Sequence, residues 1–299
     1  MQTTPSSELQ RRCELTRRNI LQGVVGLTGL STAARAETAF QPTEINHVTL
    51  NVKDLKRSEE FYAKLFGPPQ WRMFPDTDPM RLVGFQFQFG SSMLVLEAYS
   101  ERRIGVDHPC LSVEGYTIPS SVALLKQVGT EAEFPYGAEQ VYFRDLNGIL
   151  IQLDRPEYRN SAWRRADAPR LPSQPVFKPM WLDHITLQVS NLEATAAFYE
   201  RLFGPVERQP QASPPGGGVR MKSRQWFWWG TAPDEPIGVS HFAIAIEGYE
   251  PDAVAEKLRQ AGIASHRRYQ PNQVFVRDPD GILVQLASAG SAQSNPTNR

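Results

Sequence analysis

The chain repeats itself. INHVTLNVKDLKRSEEFYAKLFGPP from residue 45 returns as LDHITLQVSNLEATAAFYERLFGPV from residue 182. IGVDHPCLSV at 104 returns as IGVSHFAIAI at 237, and VYFRDLNGILIQL at 141 as VFVRDPDGILVQL at 274. A chain built this way folds as two like domains, 44–155 and 181–287. The repeat also keeps polar residues: His47 matches His184, His108 matches His241, and Gln152 matches Gln285. A duplicated fold explains the repeat by itself. Retention of the imidazoles points to duplicated sites.

The N-terminus is set aside before the fold is read. Thr16-Arg17-Arg18-Asn19-Ile20-Leu21-Gln22 resembles a twin-arginine export signal. An apolar, glycine-rich run follows to Ala34, and Ala34-Arg35-Ala36 fits a small-x-small cleavage site. Residues 1–36 are therefore expected to be a signal peptide read by the twin-arginine export machinery, with a periplasmic or secreted product. The run is too short and polar for a stable membrane span. The bland reading is a basic tail. Removing the segment takes five Arg and two Glu from 32 basic and 32 acidic residues, leaving 27 and 30. That balance carries no electrostatic footprint for nucleic acid or an anionic membrane. One cysteine, Cys110, remains, so no intrachain disulfide forms even in an oxidising compartment.

Each half holds two smaller units of similar grammar. Residues 45–52 alternate, with Val48, Leu50 and Val52 on one face and His47, Thr49 and Asn51 on the other. A helix follows, capped by Asp54, striped by Leu55, Phe61, Tyr62, Leu65 and Phe66, and stopped by Gly67. Asn191, the corresponding stripe and Gly204 repeat this pattern in the second half. Further strands follow, ending at Met93–Glu97. The second unit begins at His108–Val113, carries a helix near Ser120–Val128 and closes in a hairpin turned by Asp145-Leu-Asn-Gly148 or Asp278-Pro-Asp-Gly281. The class is α+β, with four βαβββ units in two tandem domains. Residues 156–180, rich in Pro and Arg, read as an extended linker, and 288–299 as a disordered tail.

These features together resemble the vicinal oxygen chelate superfamily, which includes glyoxalase I, the bleomycin resistance proteins and the extradiol ring-cleaving dioxygenases. The resemblance rests on the βαβββ unit, the L-x5-F-Y-x-x-L-F-G helix and the closing D-P-D-G-x-x-x-Q/E hairpin. It implies that paired units form a cup whose strands point alternate side chains inward: His47, Glu97, His108 and Gln152 in the first domain. Two imidazoles, a carboxylate and an amide oxygen suit a divalent ion such as Fe(II), Zn, Ni, Mn or Co. The glyoxalase pattern implied for these positions ends in Glu, and so does the dioxygenase triad; Gln152 departs from both. The second cup offers His184, His241 and Gln285. Its strand Arg224-Gln-Trp-Phe-Trp-Trp229 has no acid, so the first cup is expected to be the stronger metal site.

Each residue also has a structural reading. A lone strand histidine is usually a hydrogen-bonded core residue, Glu97 a strand-end surface acid, Gln152 a structural amide and His266 a surface residue. Four histidines at equivalent places favour metal. Trp226 and Trp228 share a face and are expected to line a binding wall, whereas Trp229 packs inward. Cys110 reads as a buried inert thiol. Pro215-Gly-Gly-Gly-Val219 lacks a phosphate-loop Lys-Ser/Thr and reads as a flexible turn.

Three functions follow for a small-molecule substrate. The tandem architecture resembles a ring-cleaving dioxygenase acting on a chelating, aromatic compound. His47, Glu97 and His108 resemble the set of a glyoxalase-like lyase or isomerase, with Glu97 as the proton-moving catalytic group. An aromatic second cup suits a non-catalytic binder of the bleomycin-resistance kind. The oligomeric state is open.

Overall fold

The computed structural model describes residues 40–73, 82–87, 92–156, 164–165, 174–211 and 215–288. The expected export signal and the tail beyond Ser288 lie outside these residues, as does most of the linker.

The first domain runs β1 (Pro42–Asn51), α1 (Leu55–Phe66), β2 (Trp71–Met73), β3 (Leu82–Gln86), β4 (Met93–Glu97), β5 (Gly105–Val113), α2 (Ile118–Gln127), β6 (Val141–Arg144) and β7 (Leu150–Asp154). β8 (Arg164–Arg165) lies in the linker and pairs with β2. The second domain runs β9 (Pro179–Gln188), α3 (Leu192–Phe203), β10 (Glu207–Gln209), β11 (Gly216–Arg220), β12 (Trp226–Gly230), β13 (Gly238–Ile246), α4 (Pro251–Gln260), β14 (Ser265–Arg268), β15 (Gln270–Arg277) and β16 (Leu283–Ser288). Each domain forms one mixed eight-stranded sheet, β6-β7-β5-β1-β4-β3-β2-β8 and β10-β11-β12-β9-β13-β16-β15-β14. The two units of a domain join along their first strands, β1 with β5 and β9 with β13, both antiparallel. This is the expected α+β architecture with one reduction. Between α2 and β6 the strand matching β14 is only an isolated bridge, Glu133 to Tyr142.

Local chemistry sets the helices where the sequence places them. Asp54 accepts the Arg57 N–H at 3.0 Å and Asn191 accepts that of Ala194 at 2.9 Å, each satisfying a donor at a helix start. Gly67 and Gly204 end α1 and α3 at φ 89° and 85°, in the left-handed region that favours glycine. Val48, Leu50, Tyr62 and Leu65 are fully buried between helix and sheet. The histidines of β1 and β9 stand on the opposite parity, on the face without helices.

The glycine run overturns the flexible-turn expectation. Gly216, Gly217 and Gly218 lie within β11, paired to β10 and β12. A Cβ on Gly217 would come within 2.7 Å of the Glu207 carbonyl oxygen, and one on Gly218 would overlap the Trp228 ring. Glycine is required because an added Cβ would meet the Trp229 carbonyl oxygen at Gly216, the Glu207 carbonyl oxygen at Gly217 and the Trp228 ring at Gly218.

The domains meet through reciprocal contacts. Tyr62 on α1 donates to Asp278 at 3.1 Å, and Tyr199 on α3 donates to Asp145 at 2.9 Å. Lys53 N–H reaches Asp280 at 2.8 Å, while Ser190 N–H reaches Asn147 at 2.9 Å. Phe40 N–H bonds Leu202 O and Phe177 N–H bonds Leu65 O. Each closing hairpin therefore docks on the first helix of the other domain. Near the pseudo-twofold centre the buried Gln225 accepts from Ile45 N–H at 2.8 Å and donates to Leu182 O at 2.6 Å and Ser92 Oγ at 3.1 Å. Ile45 and Leu182 each lie two residues before a cup histidine. No helix among the described residues is long and apolar enough to cross a membrane.

Candidate metal and ligand centres

The pairing registers bring the expected residues of each cup together. In the first, Cys110 lies opposite both His47 on β1 and Gln152 on β7, and His108 lies opposite Thr49. The His47 and His108 rings stand 5.6 Å apart, edge to face. His108 Nε2 is 3.1 Å from Gln152 Oε1, and the Gln152 amide nitrogen donates to Asp154 at 3.1 Å. The second cup repeats this: His184 and His241 stand 5.5 Å apart, edge to face, and Ala243 takes the place of Cys110 opposite His184 and Gln285.

All four imidazoles are held the same way. The side chain of the preceding residue engages Nδ1 each time: Asn46 on His47 at 2.9 Å, Asp107 on His108 at 2.6 Å, Asp183 on His184 at 2.8 Å and Ser240 on His241 at 3.2 Å. A side chain on Nδ1 fixes the ring's orientation, and the other nitrogen of His108 meets Gln152 Oε1. Burial, and then the neighbouring His108, lower the His47 pKa to about 3, against a hydrogen bond that the ring donates to Gln152. Burial, then His184 and Arg268, hold His241 well below its ordinary value, against a hydrogen bond that the ring donates to Gln285. His47 and His241 are thus neutral donors near pH 7.

Glu97 does not join the imidazoles. The β4 residue opposite His47 is Met93; Glu97 is opposite Asn51, four residues further along, or ~13 Å along a strand. There it accepts from Arg102 at 3.1 Å, with the Tyr136 hydroxyl oxygen 3.2 Å away. Burial, then Asp107, raise its pKa to about 8 despite Arg102. Among the described residues, no three His, Cys, Asp or Glu side chains gather closely enough to hold a metal. The sets that do gather are His47, His108 and Gln152, and His184, His241 and Gln285, each two imidazoles and an amide oxygen. His108 Nε2 lies 3.1 Å from Gln152 Oε1, and the Gln152 amide nitrogen is held by Asp154. Two metal bonds of about 2.1 Å at near right angles separate donor atoms by about 3 Å. A divalent ion fits that donor set, held without ligand charge.

Trp226, opposite His184, takes the place that Met93 has in the first cup. Its ring stacks on Trp228 at 4.3 Å and 11°, while Trp229 turns to the core and stacks on Tyr199 at 5.0 Å. Cys110 is fully buried and its thiol pKa is pushed well up by burial. His266 is half-buried and stacks on Phe275 at 6.0 Å, so it is not simply a surface residue. Two residues missed in the sequence lie beside the cups: Tyr136, 5.4 Å from the His108 ring, and Tyr269, 6.0 Å from that of His241. Their shared repeat offset was the signal available.

The fold is thus two tandem domains of paired βαβββ units, each with a paired imidazole face. Residues 181–286 match the family model described as the Glyoxalase/Bleomycin resistance protein/Dioxygenase superfamily. The second domain belongs to that superfamily, and the first repeats its fold. Similar solved structures include a variant of homoprotocatechuate 2,3-dioxygenase from Brevibacterium fuscum, 15% identical, covering 83% of this chain and 72% of that one with a TM-score of 0.59. The 2,3-dioxygenase LapB from Pseudomonas sp. KL28 is 16% identical, with 82% and 91% covered and a TM-score of 0.58. The Mn(II)-bound glyoxalase from Novosphingobium aromaticivorans is 17% identical, with 83% of each chain covered and a TM-score of 0.57. No curated protein sequence matches the chain.

Proposed function

We propose that the protein is an exported, metal-dependent enzyme of the ring-cleaving dioxygenase kind, acting on a small aromatic compound that chelates metal. The observation that carries this reading is the duplicated His-His-Gln set with every Nδ1 engaged. His47, His108 and Gln152 would hold one divalent ion, and His184, His241 and Gln285 another. When bound, such an ion supplies Lewis-acid stabilisation of a chelated substrate oxygen. Three neutral donors leave the ion its full charge and positions for other ligands. Because Glu97 stands outside the set, the two cups carry the same ligands, and the first has no advantage in charge. Trp226 and Trp228 favour the second cup for an aromatic substrate, since flat apolar rings lie beside the imidazoles there.

Metal content and oxygen uptake test this. The folded protein should bind about two equivalents of Mn(II) or Fe(II), and catechols should drive oxygen consumption. His184→Ala and His241→Ala should abolish turnover, whereas His47→Ala and His108→Ala should remove one metal equivalent and retain it. Turnover of a small carbonyl substrate without oxygen uptake would favour a glyoxalase-like lyase or isomerase, the reading that the Novosphingobium likeness supports. Tight aromatic binding with no turnover and no metal would favour the sequestering alternative.

A further inference from the structure

Tyr136 and Tyr269 stand 133 residues apart, the offset that relates His108 to His241 and Gln152 to Gln285. The chain around them has diverged. At the same offset Asp107 is replaced by Ser240, Arg102 by Glu235 and Pro135 by Arg268. Even so, both cups build one arrangement. In the first, the Tyr136 hydroxyl donates to Asp107 Oδ2 at 2.5 Å, the oxygen that His108 Nδ1 meets at 2.6 Å. The Arg102 guanidinium lies 3.9 Å over the Tyr136 ring and 3.8 Å from Asp107. In the second, Tyr269 donates to Glu235 at 2.7 Å, and Arg268 pairs with Glu235 and lies 4.9 Å over the Tyr269 ring. Ser240 completes the connection. Its hydroxyl gives its single proton to Glu235 at 2.8 Å and so must accept from His241 Nδ1 at 3.2 Å.

Exchanges scattered at random would break a cluster of this kind. These exchanges move the carboxylate and the arginine to new places in the chain and rebuild it. Tyr269 keeps its role at φ 61°, a left-handed conformation that non-glycine residues rarely adopt.

We propose that Tyr136 and Tyr269 are positioning residues of the two cups, each anchoring a carboxylate so that His108 or His241 keeps its proton on Nδ1 and presents the Nε2 lone pair. The proposal rests on the metal reading only for what Nε2 then meets. The tyrosines act through Asp107 and through Glu235 with Ser240.

The test uses the full chain with 15N-labelled histidine, free of metal, with ring signals assigned by single substitutions. In the parent, His108 and His241 should show protonated Nδ1 and bare Nε2. Tyr136→Phe, which keeps the ring, should give His108 a mixture of tautomers and leave His241 unchanged; Tyr269→Phe should do the reverse. Asp107→Ala should reproduce the Tyr136→Phe result, which serves if that variant does not fold. Mn(II) titration should show about ten- to hundredfold weaker binding in the altered cup alone. A proton on Nε2 in the parent, tautomers unchanged in both Phe variants, or both cups changed by either one would overturn the proposal. Tautomers as expected in a parent that binds no Mn(II) would sustain it and sink the metal reading.

Discussion

The Tyr62 hydroxyl donates to Asp278 across the domain boundary at 3.1 Å, and the equivalent Tyr199 returns the contact to Asp145 at 2.9 Å. Each carboxylate also accepts two backbone N–H groups of its own turn, from Asn147 and Ile149 or from Asp280 and Ile282. The hairpin motif thus serves its own turn and the neighbouring domain together.

Tyr62→Phe and Tyr199→Phe should each destabilise the protein by about 1–2 kcal/mol, because each removes one donor from a buried carboxylate that keeps its backbone partners. Urea unfolding should show similar losses for the two. A loss in only one variant would mean that the reciprocal geometry is not matched in energy.

Gln225→Leu should cost more. It strips bonds from Ile45 N–H and Leu182 O in a buried setting, and each unsatisfied group costs roughly 1–3 kcal/mol. A midpoint within about 0.5 kcal/mol of the parent would show that water or a shifted backbone replaces the amide.

Glu97 predicts a pH dependence. Its pKa rises from an ordinary 4.5 to about 8 on folding, through burial first and Asp107 second. A raised folded value means that its contribution is fully present below pH 4.5 and is lost as pH rises toward 8. Over that window stability should fall by up to about 1.4 kcal/mol per pH unit from this group. Glu97→Gln should flatten the slope between pH 5 and 8, and an unchanged slope would show that Glu97 ionises freely.

Gly218→Ala should displace the Trp228 ring, because the added Cβ overlaps it. Tryptophan fluorescence should shift and aromatic ligands should bind the second cup more weakly, with metal content unchanged. Identical spectra would place the indole stack elsewhere.

The export proposal rests on Thr16–Gln22 and the Ala34-Arg35-Ala36 site. Arg17→Lys with Arg18→Lys should hold the precursor in the cytoplasm, as judged by fractionation and processing. Normal delivery of the double variant would exclude the twin-arginine route.

Much of the molecule was legible in one dimension. Alternation in residues 45–52, the caps Asp54 and Asn191, the stops Gly67 and Gly204 and the hairpin turns are local devices, so composition and spacing place them. The internal repeat extended that reach, because a residue kept at a fixed offset marks an equivalent place in two folded domains. That is how the paired imidazoles and glutamines were found. Tyr136 and Tyr269 carry the same signal, but they are aromatic residues outside the cup strands, where spacing assigns them no role.

What tertiary structure alone decided was register and partnership. Whether Met93 or Glu97 faces His47 depends on how β4 slides along β1, and strand alternation is silent on a shift of four residues. The glycines of β11 read as a turn because glycine is rare inside strands; the close approach of the neighbouring backbone and of the Trp228 ring explains them. The Nδ1 contacts needed both neighbours in place before an Asn, Asp or Ser beside a histidine could be told from any other polar residue. Sequence determines the periodic and the local. Contacts between residues far apart in the chain depend on distances that exist only once the sheets have paired and the two domains have closed on each other.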